Sequence, residues 1–355
     1  YVFQVRVFEP VGRLALFGAA LWLPMGLLCI WFDLGHMERG WELLVRPDFS
    51  SLLAWMVWAY NLYIVLVLAM LWFELRCDLA RRAQGDGAAA AVCRVLAFGW
   101  RCPTDPAELT ACHLQSRRVM RGLGVAVLAI AFMAAGGVGA LFASLSARPY
   151  WNTGLFPILF IVGDFLMGLA FLAAVVAAFD VVGGNRRYET LRWLGWLMVI
   201  TVGADLLLEW AEFSHSLWYG IGPEAELARE ILFGRFWWAF WVLHLALGSV
   251  VPVALVLIRP IQRWAYVVAG GLVVTTYMAV RLNIVVPGQV TPALRGLAQA
   301  YRDDRLRFEY VPSAFEWSVV AFAVAVGLGI LYAGYKLLPL AHSDAEAPLV
   351  RTAGS

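Results

Sequence analysis

Eight segments of roughly twenty apolar residues divide this chain, and each is long enough to cross the ~30 Å hydrocarbon core of a bilayer at the helical rise of about 1.5 Å per residue. They fall at residues 11–32, 51–73, 122–146, 154–179, 191–208, 231–257, 264–286 and 314–338. Of the 355 residues, 62% are hydrophobic and 15% charged, and no polar stretch is large enough to build a soluble core. With the bilayer as the main solvent, a span must satisfy its backbone N–H and C=O groups internally, which selects helices. The expected fold is all-α, a polytopic transmembrane helix bundle of about eight spans over residues 1–343 with a tail at 344–355. Two four-helix halves are compatible with the pattern.

Basic residues set the orientation, because short loops rich in Lys and Arg stay cytoplasmic. The connection over residues 74–121 carries Arg76, Arg81, Arg82, Arg94, Arg101, Arg117, Arg118 and Arg121, and the connection two spans later adds Arg186, Arg187 and Arg192. Both are placed in the cytoplasm. The alternate loops then face outside, and the one over residues 209–230 is acidic, with five glutamates against Arg229. Arg295, Arg302, Arg305 and Arg307 run against this count, partly offset by Asp303, Asp304 and Glu309. The 74–121 connection reads as a linker with an amphipathic stretch near residues 91–100 and a tip at Gln84-Gly85-Asp86-Gly87. The chain opens at Tyr1 without an initiator Met or a signal peptide, and an earlier span is expected before it. A net charge of +2 scattered over loop arginines offers no basic face for nucleic acid.

Redox chemistry is constrained by what the residues can ligate. A membrane cytochrome b needs pairs of histidines facing one another across helices. Of His36, His113, His215, His244 and His342, only His244 lies well inside a span. The five cysteines (Cys29, Cys77, Cys93, Cys102, Cys112) show no C-x-x-C grouping for an iron-sulfur cluster or zinc, so no metal is expected on this chain. There is no phosphate-binding glycine loop in a strand-to-helix context, and Gly136-Gly137-Val138-Gly139 sits inside an apolar segment, where small residues permit close helix packing.

The informative polar groups are those inside spans, where an ionisable side chain is costly and faces a partner, a cavity or a proton path. Asp164 lies ten residues into its segment, about 15 Å down, and His244 falls at a similar depth. A carboxylate and an imidazole at one level can relay protons, and they can equally be satisfied core residues. A second group converges on the outer ends of the spans: Asp33, His36, Glu38 and Arg39, then Asp205 and Glu209, then Arg281 and Asn283, and finally Glu316. Such a cluster can hold a polar head group, exchange its protons and dock a soluble partner. Trp31, Trp41, Tyr150 and Trp151 flank it.

Four stretches together resemble the membrane-subunit family of NrfD and polysulfide reductase, within it the branch with Hyb-type hydrogenase and Dsr-type sulfur-complex membrane subunits. Asp33-Leu34-Gly35-His36-Met37-Glu38-Arg39 is similar to the family's Asp-Leu-Gly-Arg-Pro-x-Arg helix end, with His36-Met37 in place of Arg-Pro. Pro149-Tyr150-Trp151 leading into Phe156-Pro157 resembles its Pro-x-Trp turn and Leu-Pro helix start. Arg281-Leu282-Asn283 resembles Asn-Arg-x-Asn with Val280 at the first Asn, and Tyr310-Val311-Pro312-Ser313 with Glu316, then Leu337-Leu338-Pro339-Leu340, resembles the closing helix and tail. The chain departs from hydrogenase relatives at Ala134-Ala135-Gly136-Gly137, where they carry a His-x-Ser-Ser-like element, and at His244, where the family often has Glu.

The resemblance implies a haem-free subunit of a respiratory oxidoreductase in a bacterial or archaeal cytoplasmic membrane. It would bind menaquinone or ubiquinone and exchange electrons with an extracytoplasmic ferredoxin-like iron-sulfur subunit, itself joined to a catalytic subunit of molybdopterin, hydrogenase or cytochrome type. Asp33, His36, Arg39, Trp151, Arg281 and Asn283 are the candidate quinone contacts, Asp164, His244 and Asp205 the proton path, and Glu38, Glu209 and Glu316 the docking residues. A proton-coupled secondary transporter using Asp164 and His244, and a membrane anchor without a redox site, are the alternative readings.

Overall fold

The computed structural model describes residues 1–179, 182–292, 296–300, 303 and 308–340. Among the described residues all regular elements are helical, and eight helices are long and apolar enough to span a bilayer: Arg6–Asp33, Leu52–Arg82, Ala107–Ala143, Phe156–Ala178, Gly184–Trp218, Ala239–Ile258, Arg263–Val290 and Ala314–Leu337. The chain is a multi-pass integral membrane protein. These eight are the expected segments in number and order. Arg295, Arg302, Asp304, Arg305, Arg307, His342 and the 344–355 tail lie outside the described residues.

The helices outrun their apolar segments, because a nucleated helix propagates through polar residues at little cost. The second span continues to Arg82 and the third begins near residue 106, so the 74–121 connection shrinks to residues 83–105. Its amphipathic stretch is the nine-residue helix Ala88–Leu96, which starts after Gly87, whose φ of +95° suits a residue without a side chain. The fifth span continues to Trp218, so Glu209 and Glu212, expected in a loop, are helical. The sixth span starts at Ala239 rather than residue 231, because Pro223–Leu232 forms a helix of its own that ends at Phe233.

Two compact units divide the chain. The first comprises Tyr1–Ala131, Asp180–Arg186 and Ser313–Ser355 and so holds the first, second and eighth spans and most of the third. Here the first span packs against the second and the eighth, and Ala88–Leu96 packs against the same two. Leu16, Val67, Met70 and Met120 form a buried cluster joining the first three spans. Arg13 is buried and pairs with Glu74 at 3.2 Å and Asp78 at 2.8 Å, while its Nη1 donates to Pro339 O at 3.3 Å. Arg76, also buried, lies 4.3 Å over the Trp100 ring and donates to Ser116 Oγ at 2.7 Å. The eighth span opens with a reciprocal cap between Ser313 and Glu316, a device worth about 1 kcal/mol.

The second unit comprises Phe132–Phe179 and Arg187–Pro312, with the fourth to seventh spans. Its centre is the seventh span packed along the fourth. Glycines set that approach: a Cβ on Gly270 would overlap the Ala170 carbonyl, and one on Gly163 would overlap the Tyr277 hydroxyl. Gly139, in the small-residue run of the third span, faces the backbone of Phe156. A Gly270→Ala variant should therefore lose about 1–3 kcal/mol of stability, since backbone cannot yield as a side-chain tip can. Gly271→Ala, with open space at the Cβ, should not. Thermal unfolding of the two in detergent checks this; equal midpoints would mean the fourth and seventh spans are not in close contact.

The sixth span is a π-helix over Ala239–Val250 that continues as an α-helix over Val251–Ile258. Such wide turns are rare and are frequently found at functional sites. This one carries His244, and Ser249 Oγ donates to the His244 carbonyl at 3.1 Å.

Candidate functional site

The second unit encloses a chain of polar side chains drawn from four helices and one loop. Along the fifth span Asp205, Glu209 and Glu212 recur at i, i+4 and i+7, which places them on one helix face. Asp205 and Glu209 are buried, and so is His244 of the sixth span. His244 Nε2 and Glu209 Oε2 are 2.7 Å apart, and one ligand-capable atom from each of Asp205, Glu209 and His244 lies within 4.8 Å of the others. From the seventh span, Tyr277 donates its hydroxyl to Asp205 Oδ1 at 3.4 Å.

The network extends in two directions. One turn beyond Tyr277, the Arg281 guanidinium lies 5.5 Å from the Tyr277 ring centroid and 3.7 Å from that of Phe160, and it donates to Asp164 Oδ1 at 2.8 Å. Asp164 is the ninth residue of its helix, about 12 Å below the Phe156 end. Its side chain is half exposed (52%) and that of Arg281 less so (27%). In the other direction, Glu209 and Glu212 line a small, partly open pocket with room for about one water, together with Tyr150, Phe156, Phe240 and Asn283. Glu212 Oε2 accepts from Thr153 Oγ1 at 3.0 Å, which ties the network to the loop before the fourth span.

That loop is anchored on the seventh span. Trp151 Nε1 donates to the Ile284 carbonyl at 2.8 Å, the Tyr150 hydroxyl donates to the Asn283 carbonyl at 3.4 Å, and a Cβ on Gly288 would run into the Trp151 indole. Burial, with Glu212 and Glu209 adding to it, pushes the Tyr150 phenol up, so it remains a neutral donor. Three buried polar atoms of the network have no hydrogen-bond partner among the described residues: Asp205 Oδ2, Arg281 Nη1 and Asn283 Oδ1. The charges are also unequal. Among the described residues the carboxylates of Asp164, Asp205 and Glu209, with Glu212 beyond them, outnumber the cationic groups Arg281 and His244, so a neutral network must take up protons or a cation.

The structure redistributes the sequence-derived candidates. Glu209 does not present a docking carboxylate; it is buried against His244, because the fifth span runs on past residue 208. Glu316 caps its own helix, its carboxylate accepting from Ser313. The direct partner of Asp164 is Arg281 and that of His244 is Glu209, so the Asp164 and His244 side chains are not each other's contact. Trp151 is buried with its indole N–H committed to Ile284. Asp33, His36, Glu38 and Arg39 belong to the first unit, where His36 Nδ1 and Glu38 Oε1 form an exposed pair at 2.9 Å. Trp151, Arg281 and Asn283 belong to the second. The sequence reading missed Tyr277, Glu212 and Thr153. The i, i+4, i+7 spacing of Asp205, Glu209 and Glu212 was the available signal, hidden by ending the segment at Leu208.

Residues 1–293 match the family model described as NrfD, polysulphide reductase. The chain is 35% identical over 349 residues to the C subunit of the selenate reductase of Mesobacillus selenatarsenatis, an alignment covering 98% of this chain and 81% of that protein. It is 24% identical over 360 residues to the Hdr-like menaquinol oxidoreductase integral membrane subunit of Archaeoglobus fulgidus, with 98% and 80% covered. It is 25% identical over 278 residues to protein NrfD of Escherichia coli, with 76% and 80% covered. A match of this extent, on a chain whose described residues include eight helices long and apolar enough to cross a membrane, makes the protein a member of the NrfD polysulphide-reductase family.

Proposed function

We propose that the chain is the haem-free membrane subunit of a multi-subunit respiratory reductase, binding a quinone or quinol and exchanging electrons with an extracytoplasmic iron-sulfur partner. The relatives' names support the reductase context, and one of them names menaquinol. The observation that carries the reading is the polar chain from Asp164–Arg281 through Tyr277, Asp205, His244 and Glu209 to Glu212 and Thr153.

A quinone head needs donors for its carbonyl oxygens, and a quinol needs acceptors for its hydroxyl protons. Arg281, with Nη1 unpartnered, supplies a donor, and the half-exposed Asp164 carboxylate supplies an acceptor at a depth a lipid-borne tail can reach. The bound quinone supplies the two-electron, two-proton chemistry; the chain positions it and carries its protons. By the arginine count, Thr153 and Glu212 lie towards the outer face, so the protons of an oxidised quinol would leave there. Asn283 and Tyr150 line the cavity on that route, and Trp151 fixes the loop above it. Asp33, His36 and Arg39, expected as quinone contacts, are exposed in the first unit, and this exposure supports giving them the docking role expected of Glu38.

The test is to purify the chain with its native partners, quantify bound quinone and record the visible spectrum. Near-stoichiometric quinone without haem bands is expected. Proton-driven solute uptake by liposomes containing this chain alone, with no quinone bound, would sink the proposal in favour of a transporter.

A further inference from the structure

We propose that Asp205, Glu209 and His244 form a binding site for a divalent cation of the zinc class, a site no sequence motif announces. Three features converge on it. The donor set is one imidazole nitrogen and two carboxylate oxygens, already within 4.8 Å of one another, and zinc is commonly held by three such protein ligands with water in the fourth position. All three residues are buried, with Asp205 1% exposed, yet Asp205 Oδ2 has no hydrogen-bond partner among the described residues. A buried carboxylate oxygen left without a donor is expensive in apolar surroundings, and a cation satisfies it directly.

The surroundings supply the rest of a coordination sphere. Glu209 lines the cavity described above, which has space for a water ligand. On the same wall Asn283, 5% exposed, holds its Oδ1 unpartnered and free to accept from that water. Tyr277 donates to Asp205 Oδ1, orienting the carboxylate as outer-shell donors do around metal ligands. Binding needs His244 Nε2 and Glu209 Oε2 to open from 2.7 Å to the somewhat longer separation of two ligands on one ion, a shift within side-chain reach. The ion replaces the proton shared between them and so adds one net positive charge to a network in which carboxylates are in excess.

The consequence rests on the quinone reading: a cation seated here displaces the protons that the path must carry and inhibits turnover. The site itself does not rest on it, and binding is measured separately. The full chain in detergent, stripped with chelator, is titrated with zinc, and the bound metal is examined by X-ray absorption. One saturable ion per chain is expected, with nitrogen and oxygen neighbours near 2.0–2.1 Å, and with affinity at least tenfold weaker in Asp205→Asn and in His244→Gln. Asp164→Asn, outside the ligand set, should bind zinc as the parent does. Sulfur neighbours near 2.3 Å would assign the ion to the cysteines and overturn the proposal, as would absent binding or affinity indifferent to Asp205→Asn. Zinc that binds as described without slowing quinol oxidation would leave the site standing and count against the proton path.

Discussion

Arg281→Met is expected to lower quinol-dependent electron transfer about 100-fold, while the partner's activity with a soluble dye stays intact. The magnitude follows from removing a preorganised charge from a water-poor site, where one such donor is worth roughly 10²–10³ in rate. Arg281 contacts Asp164 at 2.8 Å and sits 3.7 Å over Phe160, so its removal strips the acceptor Asp164 of its counter-ion and the head group of its donor. Arg281→Lys keeps the charge but loses the planar fork that can serve Asp164 and a ligand together, and a smaller loss, near tenfold, is expected. Asp164→Asn keeps Arg281 in place and removes the proton acceptor, so it should slow turnover with a solvent isotope effect that the Arg281 variants lack. Measurement is by quinol oxidation in the purified complex beside the dye assay. Unchanged quinol turnover in Arg281→Met would remove the head group from this pair. Equal loss in both assays would show failed assembly.

The number and order of spans were legible because hydrocarbon thickness leaves a single strong signal, an apolar run of fixed length. Their ends were not, since helices continue into polar residues wherever tertiary contacts hold them: Arg13 with Glu74 and Asp78 secures the second span far past its apolar stretch. Of the site, the sequence picked out Asp164 and His244 by their depth, and Asp205, Glu209, Arg281 and Asn283 by their place at the outer ends of spans, Glu209 as a docking residue. Which of them meet was not visible. The pairing of Glu209 with His244 depends on a π-helix, whose extra residue per turn re-aims the side chains around His244, and no periodicity in Ala239–Val250 marks it. Likewise, Tyr277 enters the network because Gly163 leaves room for its hydroxyl, a contact between residues 114 positions apart that a single sequence does not encode as a pattern.

The buried Glu209–His244 pair allows stability and function to be separated. His244→Ala leaves the Glu209 carboxylate buried without its partner, a change that typically costs about 3–5 kcal/mol, so the unfolding midpoint should fall steeply. Glu209→Gln retains a hydrogen bond to Nε2 at nearly the same geometry and should fall much less. It cannot carry a proton, however, so quinol oxidation should drop at least as far as in His244→Ala. The double variant Glu209→Leu, His244→Phe removes both charges and keeps the volume. Because a buried ion pair gains little over a well-packed apolar pair, stability should return to near the parent while turnover stays lost. Thermal unfolding in detergent and quinol turnover, measured on all three, give the comparison. If the double variant recovers stability and activity together, the pair serves packing and the protons travel elsewhere; if it recovers stability alone, the carboxylate and imidazole are retained at this depth for proton transfer, at a cost the fold would otherwise avoid.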